Sequence, residues 1–206
     1  VPAPVPFNTT SLMAAASAEG ISPARTMRIA ESLYMDGYIS YPRVDNTVYP
    51  DSRDLAEVVN AIAANPAYGP YCKQLLSAGP LKATRGKTET TDHPPIYPTA
   101  AATPDDLSAA DYKLYNLIAR RFLATLSGPA TVEGTKVTLD VAGEPFVAKG
   151  DVLAEPGFRA IYPYGLKKDE QLPALSEGSI IAFNGATCTK KQTEPPARYS
   201  QGKLVQ

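Results

Sequence analysis

The chain has 206 residues, 44% hydrophobic and 20% charged, with a formal net charge of −1. That is enough apolar material for a sizeable core, and it leaves nucleic-acid binding to local patches, since the global charge gives no argument for it. One His and two Cys exclude a Cys/His zinc site and a disulfide framework, and no apolar run suits a membrane span or a signal peptide.

Pro is about twice as frequent as usual, so turns and edges should be many and long helices few. Residues 1–8, from Val1-Pro-Ala-Pro-Val-Pro-Phe7, predict an extended linker or edge strand, and the missing initiator Met suggests a piece of a larger protein. A short helix is expected from Ser11 to Ala18, ending at Gly20. Ser22-Pro23 starts a second helix, as cap and first helical residue. Met27, Ala30, Leu33 and Tyr34 form its apolar stripe, which puts Tyr34 in the core, and Gly37 stops it. Asp51 or Ser52 is expected to cap a third helix through Leu55, Val58, Val59 and Ile62, and a fourth covers Tyr71 to Leu76. Residues 79–104 read as irregular. Ser108-Ala-Ala-Asp111 resembles a capping box and opens the longest helix, which Gly128-Pro129 ends.

The second half changes period. Val137, Leu139 and Val141 alternate on one face, Ala142-Gly143 turns, and Pro145 to Ala148 returns. Phe158–Tyr162 and Ser179–Phe183 read as two further strands. The expected class is α+β: a helical unit over 9–128, a small antiparallel β-rich unit over 129–189, and the start of another segment over 190–206. Cys72 and Cys188 read as reduced, part-buried thiols, which fits a cytoplasmic protein.

Chemistry concentrates in Leu33 to Asn46. In an extended stretch Tyr41 and Arg43 share a face. A phenol with a reference pKa near 10 is ionised in about one molecule in a thousand at pH 7, and lowering that pKa to 7 takes roughly 4 kcal/mol. A guanidinium beside it supplies part of that and also holds a phosphate through its fork, so Tyr-x-Arg suits attack on a phosphodiester. Taken alone, the pair reads more readily as a surface turn with a packed ring. His93, in Thr91-Asp-His93-Pro-Pro-Ile-Tyr-Pro-Thr99, reads as a phosphate ligand or proton-transfer group, or as a structural His capped by Asp92. Lys82, Arg85 and Lys87 could track a DNA backbone or form a solvated loop. Lys190, Lys191, Arg198 and Lys203 make a second basic cluster.

Four stretches resemble motifs of the active-site region of type IA DNA topoisomerases. Pro6-Phe-Asn-Thr-Thr-Ser11-Leu12 and Gly37-Tyr-Ile-Ser-Tyr41-Pro-Arg43-Val-Asp45 are similar to that family's Pro-Phe-x-Thr-Ser-x-Leu and Gly-x-Ile-Thr-Tyr-x-Arg-Thr-Asp. Asp92-His-Pro-Pro-Ile-Tyr-Pro-Thr99 and Thr193-Glu-Pro-Pro-Ala-Arg-Tyr199 resemble two further motifs, the Pro-Pro form being that of the topoisomerase III and archaeal branch. Ser40, Val44 and Asn46 depart from the pattern without removing a reacting atom. The resemblance implies that Tyr41 forms a 5′-phosphotyrosyl bond to one DNA strand and that Arg43 holds the scissile phosphate. It implies that His93 contacts a nearby phosphate and that Arg198 lies near DNA.

It further implies a toroidal enzyme in which 129–189 belongs to the hinge. The family's magnesium is held by a Toprim domain whose acidic cluster precedes this region, and no Asp-x-Asp-x-Glu occurs here. The expected cofactor is therefore Mg in the full-length enzyme and none in this piece. The expected partners are single-stranded DNA and the remaining domains of the same protein, with no membrane, in the nucleoid-associated cytoplasm if the source is prokaryotic. Alone, the piece is expected to be inactive. Tyrosine recombinases fail on order, because they place the Tyr near the C-terminal end. The alternative is a non-enzymatic single-stranded-DNA-binding module.

Overall fold

The computed structural model describes residues 1–166 and 168–205. Helix α1 spans Thr9–Ala18 and begins earlier than Ser11 because Asn8 caps it: the Asn8 side chain accepts from the Ser11 N–H at 2.9 Å, and Ser11 Oγ accepts from the Asn8 N–H at 3.0 Å. Helix α2 spans Pro23–Met35 from the Ser22 cap. Gly37 ends it with φ +80°, which lets the Tyr38 N–H reach back to the Leu33 carbonyl at 2.8 Å. Helix α3, Leu55–Ile62, is capped by Asp54, whose carboxylate accepts from the Ala56 and Glu57 N–H groups at 2.9 and 3.0 Å. Asp51 and Ser52 do not cap it, because a turn closed by the Arg53 N–H on the Pro50 carbonyl absorbs them. Helix α4 spans Gly69–Ser77.

Helix α5, Ala109–Thr125, is the core element. Its Ser108 cap accepts from the Asp111 N–H, and Leu114, Tyr115, Leu117, Ile118, Phe122 and Leu123 are all buried. It packs against α1 and α2. Tyr49 meets Phe122 edge-on and Tyr97 meets it tilted, at 5.8 and 6.4 Å between centroids.

Strands β1 (Thr131–Val141) and β2 (Glu144–Glu155) form an antiparallel two-stranded sheet. Ala142 and Gly143, both at positive φ, make the two-residue turn, and Asp140 accepts from the Gly143 N–H. The register places Leu139 opposite Phe146 and Val137 opposite Ala148.

Two expected strands are absent among the described residues. Phe158–Tyr162 instead overlaps the 3₁₀ turn Gly157–Ala160. Its apolar run is buried at the helical core, with the Phe158 N–H bonded to the Gly128 carbonyl and Arg120 bonded to the Ile161 carbonyl. Ser179–Phe183 joins no ladder, and Ile180 is fully exposed. Residues 171–200 have no regular helix or strand. They lead into helix α6, Gln201–Leu204, which meets α1 where Gly202 lies against Ser17. Gln206, which closes the predicted 190–206 segment, lies outside the described residues. Cys72 is buried, whereas Cys188 is exposed and not part-buried as expected. Among the described residues no helix is long and apolar enough to cross a membrane.

Candidate active site

The three motif segments of the helical half meet through backbone hydrogen bonds. Residues 37–40 run antiparallel to 95–99. The Ser40 N–H donates to the Tyr97 carbonyl at 2.9 Å, the Tyr97 N–H to Ser40 Oγ at 3.0 Å, and the Thr99 N–H to the Tyr38 carbonyl at 2.9 Å. Thr9, in the first turn of α1, secures the other side. Its N–H donates to the Val44 carbonyl, and its hydroxyl accepts from the Val44 N–H at 2.7 Å and donates to the Pro42 carbonyl at 2.8 Å. Phe7 is bridged to Ile96, closing the triangle. Tyr41 sits where these segments converge, on a backbone fixed from both sides.

The Tyr41 ring is half-buried between two aromatic neighbours. His93 lies 4.8 Å away by ring centroid, and Tyr34 lies 5.4 Å away, edge-on. Tyr34 therefore belongs to this surface and not to the core. It is 41% exposed, because Leu33, one position earlier, takes the buried face of α2. Tyr38 packs half-buried against Tyr115. Other phenols are poor candidates for ionisation: burial pushes Tyr49, Tyr68 and Tyr115 well above the usual phenol range.

Arg43 is exposed and turns to α2. Its Nε donates to Glu31 Oε1 at 2.9 Å, and its Nη2 donates to the same oxygen. The pairing was not read from the sequence, yet Glu31 and Tyr34 are three apart on one helix and so share a face.

His93 is exposed on a loop held from below by Asn46. This buried amide donates to the carbonyls of Thr90 and His93, at 2.9 and 3.0 Å, and its oxygen accepts from the Val48 N–H. Asp92 makes no bond to the His93 ring among the described residues. Its carboxyl accepts from the Thr90 hydroxyl, and that bond together with the His93 backbone N–H holds its pKa below the usual carboxylate value.

Lys82, Arg85 and Lys87 are exposed on a neighbouring loop. It is braced by the Thr84 N–H on the Thr125 carbonyl and the Gly86 N–H on the Thr47 carbonyl. Gly86 approaches Thr47 so closely that a Cβ would sit 2.2 Å from the threonine hydroxyl. Lys82 and Arg85 line a cleft of about 320 Å³ with Arg53, Asp51 and Asp54, which does not include Tyr41. Arg85 is paired with Glu89 at 3.0 Å. Arg198 lies in the exposed stretch before α6 and makes no hydrogen bond or ion pair among the described residues. The structure thus gathers Tyr41 and His93, places Arg43 beside α2, and leaves the basic loop and Arg198 apart from them.

The whole chain, residues 1–206, matches the family model described as DNA topoisomerase. The chain belongs to the type IA DNA topoisomerase family. It is 44% identical over 202 residues to DNA topoisomerase 1 of Archaeoglobus fulgidus, covering 98% of this chain and 30% of that protein. It is 36% identical over 203 residues to DNA topoisomerase 3-beta of Arabidopsis thaliana, covering 98% of this chain and 23% of that protein. The solved structure of full-length topoisomerase I from Thermotoga maritima superposes with a TM-score of 0.61 at 25% identity, over 86% of this chain and 30% of that one. The chain therefore spans under a third of the length of these relatives.

Magnesium is the metal that the type IA resemblance implies. Among the described residues no three His, Cys, Asp or Glu side chains come together, and Glu31 is committed to Arg43. This donor set does not fit a magnesium ion.

Proposed function

We propose that this chain is the nucleophile-bearing part of a type IA DNA topoisomerase that cleaves and rejoins one DNA strand. Tyr41 Oη attacks the phosphorus of a backbone phosphodiester. The P–Oη bond forms and the P–O3′ bond breaks, and the proton given up by the phenol is balanced by the one taken up at the departing 3′-oxygen. The phosphate ends as a 5′-phosphotyrosyl ester. Return attack by the 3′-hydroxyl reverses each bond change, so resealing requires no external energy source.

Arg43 supplies a charged fork for the phosphate and stabilises charge that builds on its oxygens. His93, against the Tyr41 ring, contacts the same or the adjoining phosphate. Lys82, Arg85, Lys87 and Arg198 lie along the single strand as backbone contacts. Magnesium and the acid that protonates the leaving oxygen come from a Toprim domain elsewhere in the protein, and the β hairpin belongs to the hinge of a toroid.

The observation that carries this reading is the convergence of three separate segments on Tyr41, with His93 at 4.8 Å. The test uses the full-length enzyme that contains this chain, with labelled single-stranded DNA. Tyr41→Phe removes one hydroxyl and should abolish covalent adducts while non-covalent binding stays within about threefold of wild type. Tyr34→Phe should still form adducts. Adducts that persist in Tyr41→Phe, or that vanish only in Tyr38→Phe or Tyr49→Phe, defeat the assignment.

A further inference from the structure

We infer that Glu31 is a positioning residue for Arg43, presenting the guanidinium's outer edge to the scissile phosphate; this rests on the function proposed above. A guanidinium has five N–H donors in one plane. In this structure the Nε–H and one Nη2–H are both given to a single oxygen, Glu31 Oε1. Three donors remain, two on Nη1 and one on Nη2. One from each of these nitrogens forms the end-on edge, next to the edge that faces the carboxylate, and that end-on pair matches a phosphate bidentately.

The phosphate therefore need not displace the carboxylate, because Glu31 and a phosphate can occupy different edges of the same fork. Glu31 sits within α2, four residues before that helix ends at Met35, so it is a fixed reference point for a side chain on a loop. Arg43 itself has no other side-chain partner among the described residues, and its side chain is 59% exposed. Without Glu31 it would sample many rotamers, and ordering it would fall on the reaction.

The negative charge works against phosphate affinity, because two anions then flank one cation. A residue kept only to strengthen DNA binding would not be acidic. The arrangement trades affinity for direction, which separates a positioning role from a binding role. Both side chains are about half exposed, so the ion pair adds little to stability, and alanine is well tolerated inside a helix.

The experiment measures DNA affinity and single-turnover cleavage separately in the full-length enzyme. Glu31→Ala should slow cleavage by about tenfold or more, with DNA affinity unchanged or tighter. Glu31→Gln keeps an acceptor oxygen and should restore cleavage to within about threefold of wild type. In an Arg43→Ala background, Glu31→Ala should have no further effect. Cleavage by Glu31→Ala at the wild-type rate overturns the inference, as does a parallel loss of binding and cleavage, or a Gln variant as slow as Ala. Mapping the adduct in wild-type enzyme keeps the two readings distinguishable. An adduct on another residue defeats the proposed function and this inference together. An adduct on Tyr41 with normal cleavage by Glu31→Ala defeats only the role of Glu31.

Discussion

The buried side-chain amide of Asn46 donates to the backbone carbonyl of His93 at 3.0 Å, tying the tyrosine loop to the histidine loop. The same amide nitrogen holds the Thr90 carbonyl, and the amide oxygen takes the Val48 N–H. Sequence comparison with the type IA pattern marks position 46 only as a departure from Ser. A shorter hydroxyl has one donor and could not span both carbonyls.

Asn46→Ala should therefore leave two carbonyls and one N–H without their partners. The expected loss is about 2–3 kcal/mol of folding stability, since unsatisfied buried polar groups cost about 1–3 kcal/mol each and water can reach part of this edge. Urea denaturation of the 206-residue chain measures it. The adduct yield of the full-length variant should fall with the loosened His93 loop. Unchanged stability would show that water replaces the amide without loss.

Salt dependence tests the basic loop. The 206-residue chain should bind single-stranded DNA weakly, with affinity falling steeply as salt rises. Replacing Lys82, Arg85 and Lys87 together by Ala should flatten the log–log slope by up to about 2, at about 0.7 for each phosphate no longer neutralised. Arg85 should contribute least, because Glu89 already neutralises it. A slope that does not change assigns the loop to solvent.

The two thiols should behave differently. Burial pushes the Cys72 thiol up to about 11, while Cys188 is exposed. At pH 8 a thiol reagent should label Cys188 rapidly and Cys72 only after unfolding, read by mass spectrometry of the digested protein. The sign for stability follows from the raised value. Below the unfolded thiol's pKa, near 8.5, Cys72 is neutral in both states and folding is not disfavoured. As pH rises toward 11 the unfolded thiol ionises first, so stability should fall across that window. Cys72→Ala should remove this part of the alkaline decline.

Much of the helical half was legible because local signals decide it. Ser22-Pro23, Gly37 and Ser108 start or stop helices through their own backbone chemistry, and the α5 stripe is long enough to be unambiguous. Asp54 was missed in favour of Asp51 or Ser52 because a turn whose closure depends on Pro50 shifts the cap. The Phe158–Tyr162 run was misread because a short apolar stretch reads alike in a strand or a buried turn, and its core contacts are long-range. Ser179–Phe183 has strand composition, but a ladder needs a second edge, which no residue of the segment itself reveals. At the site, Tyr41, Arg43 and His93 were legible as motif positions. Glu31 and Tyr34 were not, because their roles depend on which face of α2 meets a loop folded back from beyond the helix.

The Val1 nitrogen donates to the Ala130 carbonyl, and the Ala130 N–H donates to the Val1 carbonyl at 2.9 Å. The path into the helices and the path out toward the hairpin thus meet at one point. A tug between residue 1 and β1 loads this short clasp directly and bypasses the intervening helices. Tyr41 and the helices α1 to α5 all lie within the stretch that this clasp closes.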